Sequence, residues 1–263
     1  MQGLANDQRR VLLLAGTGEG PQLVRDLTRR HWRVSVSVVT PSAANAYAGL
    51  ALEGISVGAL QGIGGITDAL RQAGPFRWVL DATHPFASQI SHALVRACAE
   101  VGQPLVRYER RLEPLGGASL VTDAQALAAL PLQGQRLLLA IGGRHLPVMA
   151  AAVRRAGAIP YGRALPSPDG LCAALRAGLP PDHLAVVRPL QGDVAGAIER
   201  ALCRRWGISA VLCRQSGGVT EQLWHRLTRE LELSLLLLRR PAPPDRMVCV
   251  EDVSTLLEWL ERD

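Results

Sequence analysis

Short apolar runs alternate with amphipathic stretches along this chain, and halfway along the alternation begins again. "RRVLLLAG" (9–16), "RVSVSVVT" (33–40), "RWVLDAT" (77–83) and "PLVRYER" (104–110) read as strands. "PQLVRDLTRRH" (21–31) and "SQISHALVRACAEVG" (88–102) carry the helical spacing between them. Such an order admits little besides a mainly parallel sheet, because parallel neighbours need a crossover and a helix supplies it. Past "EPLGGASLVTDAQALAALPLQG" (113–134), "QRLLLAIGG" (135–143) repeats the composition and place of the first strand. Strand-like runs at 159–165, 183–192, 209–218 and 233–241 follow, with helices at 145–157, near 193–206, at 219–231 and at 252–261. The expected fold is α/β, two Rossmann-like doubly wound parallel-sheet domains over 1–133 and 134–263 with a cleft between them. Ligands of such sheets sit beyond the carboxyl ends of the strands.

Composition narrows the chemistry. No apolar run approaches the ~20 residues that span a bilayer, and "MQGLANDQRR" lacks the apolar middle of a signal peptide. A cytoplasmic protein with no membrane partner is expected. The five cysteines are scattered without a CxxC pair or zinc spacing, so reduced thiols and no metal are expected. The net charge is +6, and all 29 basic residues are arginine. Without lysine there is no Walker A loop, no Schiff base and no Tyr-x-x-x-Lys pair. Arginine grips carboxylates and phosphates in a planar, bidentate way, which suits an anionic small molecule. Aromatics make up 4% and are not interleaved with basic runs, so nucleic acid is not expected as a partner.

Two glycine-rich stretches stand at strand ends. "LLLAGTGEGP" puts Gly16, Thr17, Gly18, Glu19 and Gly20 between the first strand and a helix opened by Pro21. There glycines let a phosphate approach the backbone, and the N–H groups of the helix start bind it. "LQGIGGITDAL" (60–70) gives a second glycine loop, Gly62, Gly64 and Gly65, before another helix. The second strand ends "SVSVVTPSAAN" with no acid between Arg33 and Asn45. A carboxylate at that place holds the ribose of NAD, and its absence favours NADP. Thr40 and Ser42 can hydrogen-bond there or can be plain turn residues.

"VLDATHPFA" (79–87) sets Asp81, Thr83 and His84 at the carboxyl end of a strand, before a stiffening proline. His84 reads either as a hydrogen-bonded turn residue or as a group that handles a proton near neutral pH. "RYERR" (107–111), "IGGRH" (141–145), "YGR" (161–163), "VRPLQG" (187–192) and "CRQSGG" (213–218) place arginines at strand ends in both halves. Their recurrence on one side points to an anionic substrate. Ser216-Gly217-Gly218, ahead of a helix, can offer N–H groups to a carboxylate or phosphate.

Together, "GTGEG" (16–20), "GIGG" (62–65), "DATHPFA" (81–87), "RYER" (107–110), "IGGRH" (141–145), "RPLQG" (188–192), "QSGG" (215–218) and "RRP" (239–241) resemble the precorrin-6A reductase family of cobalamin biosynthesis, its cobalt-precorrin-6A branch included. "DATHPFA" is the most specific of these. The resemblance implies NADPH-dependent reduction of one double bond of the precorrin-6A macrocycle to give precorrin-6B. A hydride passes to one ring carbon and a proton to its neighbour, while arginines meet the acetate and propionate rim. The cofactor residues expected are Gly16, Thr17, Glu19, Thr40, Ser42, Gly62, Gly64 and Gly65. Those expected at the substrate are Thr83, His84, Tyr108, Arg110, Arg144, Arg163, Arg188, Ser216 and Gly217, with His84 as proton donor or orienting group. An S-adenosylmethionine-dependent tetrapyrrole methyltransferase and a non-catalytic tetrapyrrole carrier are the alternatives. The oligomeric state stays open, a monomer being favoured.

Overall fold

The computed structural model describes residues 9–188 and 194–262. The chain divides into two compact units, Met1–Arg111 with Pro241–Asp263, and Leu112–Arg240.

The first unit holds a six-stranded, wholly parallel sheet. Its strands are β1 (Arg10–Ala15), β2 (Arg33–Val38), β3 (Gly54–Val57), β4 (Trp78–Ala82), β5 (Leu105–Tyr108) and, from the C-terminal end of the chain, β12 (Val248–Val250). They lie in the order β12-β5-β4-β1-β2-β3. The period of two along β1 gives each face its own core. Val11, Leu13 and Ala15 pack with Leu23 and Leu27 of helix Gly20–Arg29 and with Leu256 and Leu260 of helix Val253–Leu260. Leu14 packs on the opposite face with Ile66 and Leu70 of helix Gly62–Ala73 and with Leu94 and Ala97 of helix Ser88–Val101. Leu13, Leu23, Leu27 and Leu80 are among the fully buried side chains, each contributing roughly 1.5–3 kcal/mol.

The second unit repeats the plan. Its strands are β6 (Ser119–Val121), β7 (Arg136–Ala140), β8 (Ile159–Ala164), β9 (Leu184–Val186), β10 (Ala210–Arg214) and β11 (Ser234–Leu238). Their order, β6-β11-β10-β7-β8-β9, is again wholly parallel. One face of this sheet buries Leu138, Val211 and Leu237 against Trp206 of helix Ala197–Trp206 and Trp224 and Leu227 of helix Val219–Glu230. In both sheets the strand order reverses at one central pair of strands, β1 and β4 in the first and β7 and β10 in the second. Those are the switch points where doubly wound folds bind ligands.

The expected fold class holds, but the expected division at 133/134 does not match these units. Strand β6, at 119–121, pairs with β11 in the second sheet, and β12 returns to pair with β5 in the first. Pairing between segments far apart in sequence leaves no local pattern at the boundary. The second glycine stretch is also corrected. Gly62, Gly64 and Gly65 form the first turn of helix Gly62–Ala73 rather than a loop ahead of it, with Gly62 at φ 64°. Of the strand expected at 183–192, residues 184–186 are extended, and 189–192 lie outside the described residues. Among the described residues, no helix is long and apolar enough to cross a membrane. All five cysteines are free, with Cys98, Cys203 and Cys213 buried and Cys172 and Cys249 exposed.

Candidate active site

In the first unit, the parallel register of β1 and β4 sets Ala15 beside Ala82, so the two segments leaving these strands run together. Gly16 lies so close to the Thr83–His84 backbone that a Cβ there would stand 3.1 Å from the His84 nitrogen and 3.3 Å from the Thr83 Cα. The glycine loop and the "DATHPFA" turn, read separately from the sequence, are thus one structure.

Asp81 anchors that turn from below and is fully buried. Its Oδ1 accepts hydrogen bonds from the Thr83 N–H at 3.0 Å and the Thr83 hydroxyl at 2.7 Å. Its Oδ2 accepts from the Ser91 hydroxyl at 2.7 Å and from the Arg107 guanidinium at 2.6 Å. The next turn is closed by the Ala87 N–H on the His84 carbonyl at 2.7 Å. The His84 ring takes part as well, its Nδ1 accepting the Phe86 N–H at 3.1 Å. Assigned from that bond, the neutral ring carries its proton on Nε2.

Strand β5 ends on half-buried Tyr108, and beyond it stands Arg110, which pairs with Glu19 of the first loop at 3.0 Å. The other Glu19 oxygen, Oε2, is buried and has no hydrogen-bond partner among the described residues. The one carboxylate of the glycine loop is therefore held on a cation, which offsets the repulsion it would exert on a phosphate. Burial, followed by the Glu19 and Asp252 charges, raises the Tyr108 phenol above its ordinary value against an opposing Arg110. The phenol stays protonated at neutral pH and remains a hydrogen-bond donor.

Helix starts at this sheet edge divide into two kinds. Helices Gly20–Arg29, Gly62–Ala73 and Ser88–Val101, which follow β1, β3 and β4, have no side chain capping their first N–H groups. The helices after β2 and β12 are capped, by the Thr40 hydroxyl and the Asp252 carboxylate. Uncapped N–H groups thus gather around the switch point, where an anion would use them. Around Gly18, Gly62 and Gly64 there is open space where a Cβ would project. These features fit a dinucleotide phosphate. Thr17 sits half-buried in the same loop, and Ser42 is exposed in the short helix that Thr40 caps. The Thr40 hydroxyl is taken by the Ala43 N–H at 3.2 Å.

In the second unit, Arg144, His145 and Arg214 gather at the carboxyl ends of β7 and β10. Arg214 approaches Gly142, where a Cβ would stand 3.8 Å from its guanidinium. Burial, then the Arg214 charge, then that of Arg144 hold the His145 imidazole below its ordinary value. Arg144 is exposed. Arg188 is exposed too, directly before the undescribed 189–193.

Two expectations in this unit are corrected. Arg163 is buried and committed to Glu199 at 2.8 Å, because its place within β8 turns it inward onto helix Ala197–Trp206. The Gly217 N–H is taken internally by the Glu221 carboxylate at 2.6 Å, beside a buried Ser216, so this glycine turn does not hold that N–H out for an external anion.

Sequence reasoning passed over Arg107, Ser91 and Glu109 in the first unit and the company of His145 and Arg214 in the second. A signal existed for Arg107. A charge inside an otherwise apolar strand needs a partner, and Asp81 stands near the end of the strand next to it.

The family described as precorrin-6x reductase CbiJ/CobK matches residues 10–261. The chain is 32% identical over 256 residues to the precorrin-6A reductase of Rhodobacter capsulatus, covering 95% of each protein. It is 31% identical over 190 residues to the cobalt-precorrin-6A reductase of Synechocystis, covering 70% of each. A solved structure of CobK precorrin-6A reductase superposes with a TM-score of 0.75 at 29% identity over 96% of both chains. With a match that runs through both sheets, from the first residue of β1 to beyond the last helix, the chain belongs to the precorrin-6x reductase family.

Proposed function

We propose that this protein reduces one double bond of precorrin-6A, or of its cobalt form, with NADPH, and so produces the precorrin-6B oxidation level in cobalamin biosynthesis. The observation that carries the reading is the joint Gly16–His84 structure at the β1/β4 switch point, in a chain whose family match spans 10–261. The relatives bear the names of both the metal-free and the cobalt substrate.

Bound NADPH supplies the hydride to a ring carbon, and the neighbouring carbon gains a proton. The backbone from Gly16 to Glu19 and the uncapped first turns at Gly20 and Gly62 hold the phosphates, with Thr17 beside them. Gly64 and Gly65 add no side chain to the second of these turns, and its Ile63 packs against the core. No carboxylate follows β2, so Thr40 and Ser42 leave room for a 2′-phosphate, which favours NADPH over NADH.

In the first unit Thr83, His84, Tyr108 and Arg110 face the substrate; in the second, the exposed Arg144 and Arg188 can bind carboxylates. Because His84 Nδ1 already accepts a backbone N–H, adding a proton there would set two donors against each other. His84 is therefore the orienting group, donating from Nε2, and the proton is delivered by another route. Tyr108, kept protonated, donates a second hydrogen bond.

The test is anaerobic incubation of the full chain with metal-free and with cobalt-loaded precorrin-6A, following nicotinamide absorbance. Oxidation of NADPH, faster than of NADH, with either macrocycle is expected. Tight binding of the macrocycle without oxidation would favour a carrier. Methylation from S-adenosylmethionine would favour a methyltransferase.

A further inference from the structure

We propose that Arg107 is a positioning residue for the reduction, holding the Thr83–His84 turn and the Tyr108–Arg110 segment on one buried base. The proposal rests on the reading of those four residues as substrate-facing. Arg107 itself is only 2% exposed, so it reaches no substrate. It stands on β5 opposite Asp81 on β4, its register partner.

The guanidinium binds four groups at once. One nitrogen donates to Asp81 Oδ2 at 2.6 Å and to the Ser91 hydroxyl at 2.8 Å, with the Thr83 hydroxyl farther off at 3.4 Å. Another donates to Glu109 Oε2 at 3.0 Å. Through Asp81 it fixes Thr83, whose N–H and hydroxyl both end on Oδ1. Through Glu109 it fixes the residue lying between Tyr108 and Arg110. The planar fork of arginine serves two acids from separate nitrogens held in one rigid plane, whereas an ammonium offers all its donors from a single point on a flexible stem.

Burying two carboxylates and one guanidinium is a poor way to gain stability, since apolar residues of similar volume do as well or better. What the network provides is a shared geometry for two loops that leave different strands. A residue displaced by about 1 Å at a reacting centre costs up to a hundredfold in rate.

The experiment compares Arg107→Lys and Ser91→Ala with the wild-type full chain. Ser91→Ala removes one hydroxyl from the network and leaves all three charges in place, so it folds even if Arg107→Lys does not. Three quantities are read: thermal unfolding, kcat with KM for precorrin-6A and for NADPH, and the imidazole nitrogen shifts of His84. In the wild type those shifts report the Nε2–H tautomer.

In the folded variants that tautomer signature weakens. The kcat falls roughly tenfold to a hundredfold for Arg107→Lys and several-fold for Ser91→Ala, while the KM for NADPH stays unchanged. If a variant that unfolds cooperatively keeps wild-type kcat, Arg107 is merely structural and the proposal is overturned. Should the wild type itself not oxidise NADPH, the functional reading fails, and the His84 signature decides the positioning role alone. A signature retained in the folded variants then overturns it.

Discussion

A methyl group on Gly16 would press on the backbone of Thr83 and His84 rather than on any side chain that could swing aside. Gly16→Ala is accordingly expected to destabilise the protein by about 1–3 kcal/mol, the range for overpacking, and to lower turnover, because the displaced segment carries His84. Urea unfolding together with steady-state rates checks both. His84→Ala removes the ring without disturbing Gly16. It is expected to lower turnover with little loss of NADPH affinity, and unchanged turnover would remove His84 from the chemistry. At this scale the sequence was informative wherever a polar residue ended an apolar strand, as at Asp81 and His84. It misled at Arg163, which looks the same in the sequence as the exposed Arg144. Only the direction in which β8 turns that side chain, inward to Glu199, separates the two.

Helices and strands of the second unit are tied by charges whose removal can be read directly. Arg163 joins β8 to helix Ala197–Trp206 through a pair buried on both sides. Arg163→Met leaves Glu199 buried without that partner and is expected to cost about 3–5 kcal/mol, whereas adding Glu199→Leu recovers most of the loss. A double-mutant cycle measures it, and a mild single variant would return Arg163 to the list of substrate-facing residues. At the start of helix Leu146–Arg155, His145 titrates below its ordinary 6.5. The unfolded chain therefore takes up the proton first as the pH falls. Stability from this residue is complete above 6.5 and is lost progressively below it. His145→Gln should flatten that acid-side slope in denaturation curves recorded across pH. The long apolar strands β1, β4, β7, β10 and β11 were legible from their composition alone. Strand β3 was not, since all four of its residues are exposed at a sheet edge. Strands β6 and β12, three residues each, are too short to show a period.

Across the whole molecule, the chain leaves the first unit at Arg111 and comes back at Pro241. The returning segment supplies Val250, Leu256 and Leu260 to the first core, all of them buried. Truncation after Arg240 is expected to abolish cooperative unfolding of the first unit, while the isolated 112–240 fragment keeps its own transition by calorimetry. An internal plan that begins again halfway was visible in the sequence, but its boundaries depend on pairings between β12 and β5 and between β6 and β11 that no local pattern announces. The central claim, that the chain transfers a hydride to precorrin-6A, is tested most directly by isotope. The protein is incubated anaerobically with precorrin-6A and NADPH carrying deuterium at the transferable position of the nicotinamide. The account predicts one deuterium on a ring carbon of the product for each NADP+ formed. A macrocycle that is recovered unlabelled while the nicotinamide stays reduced would contradict it.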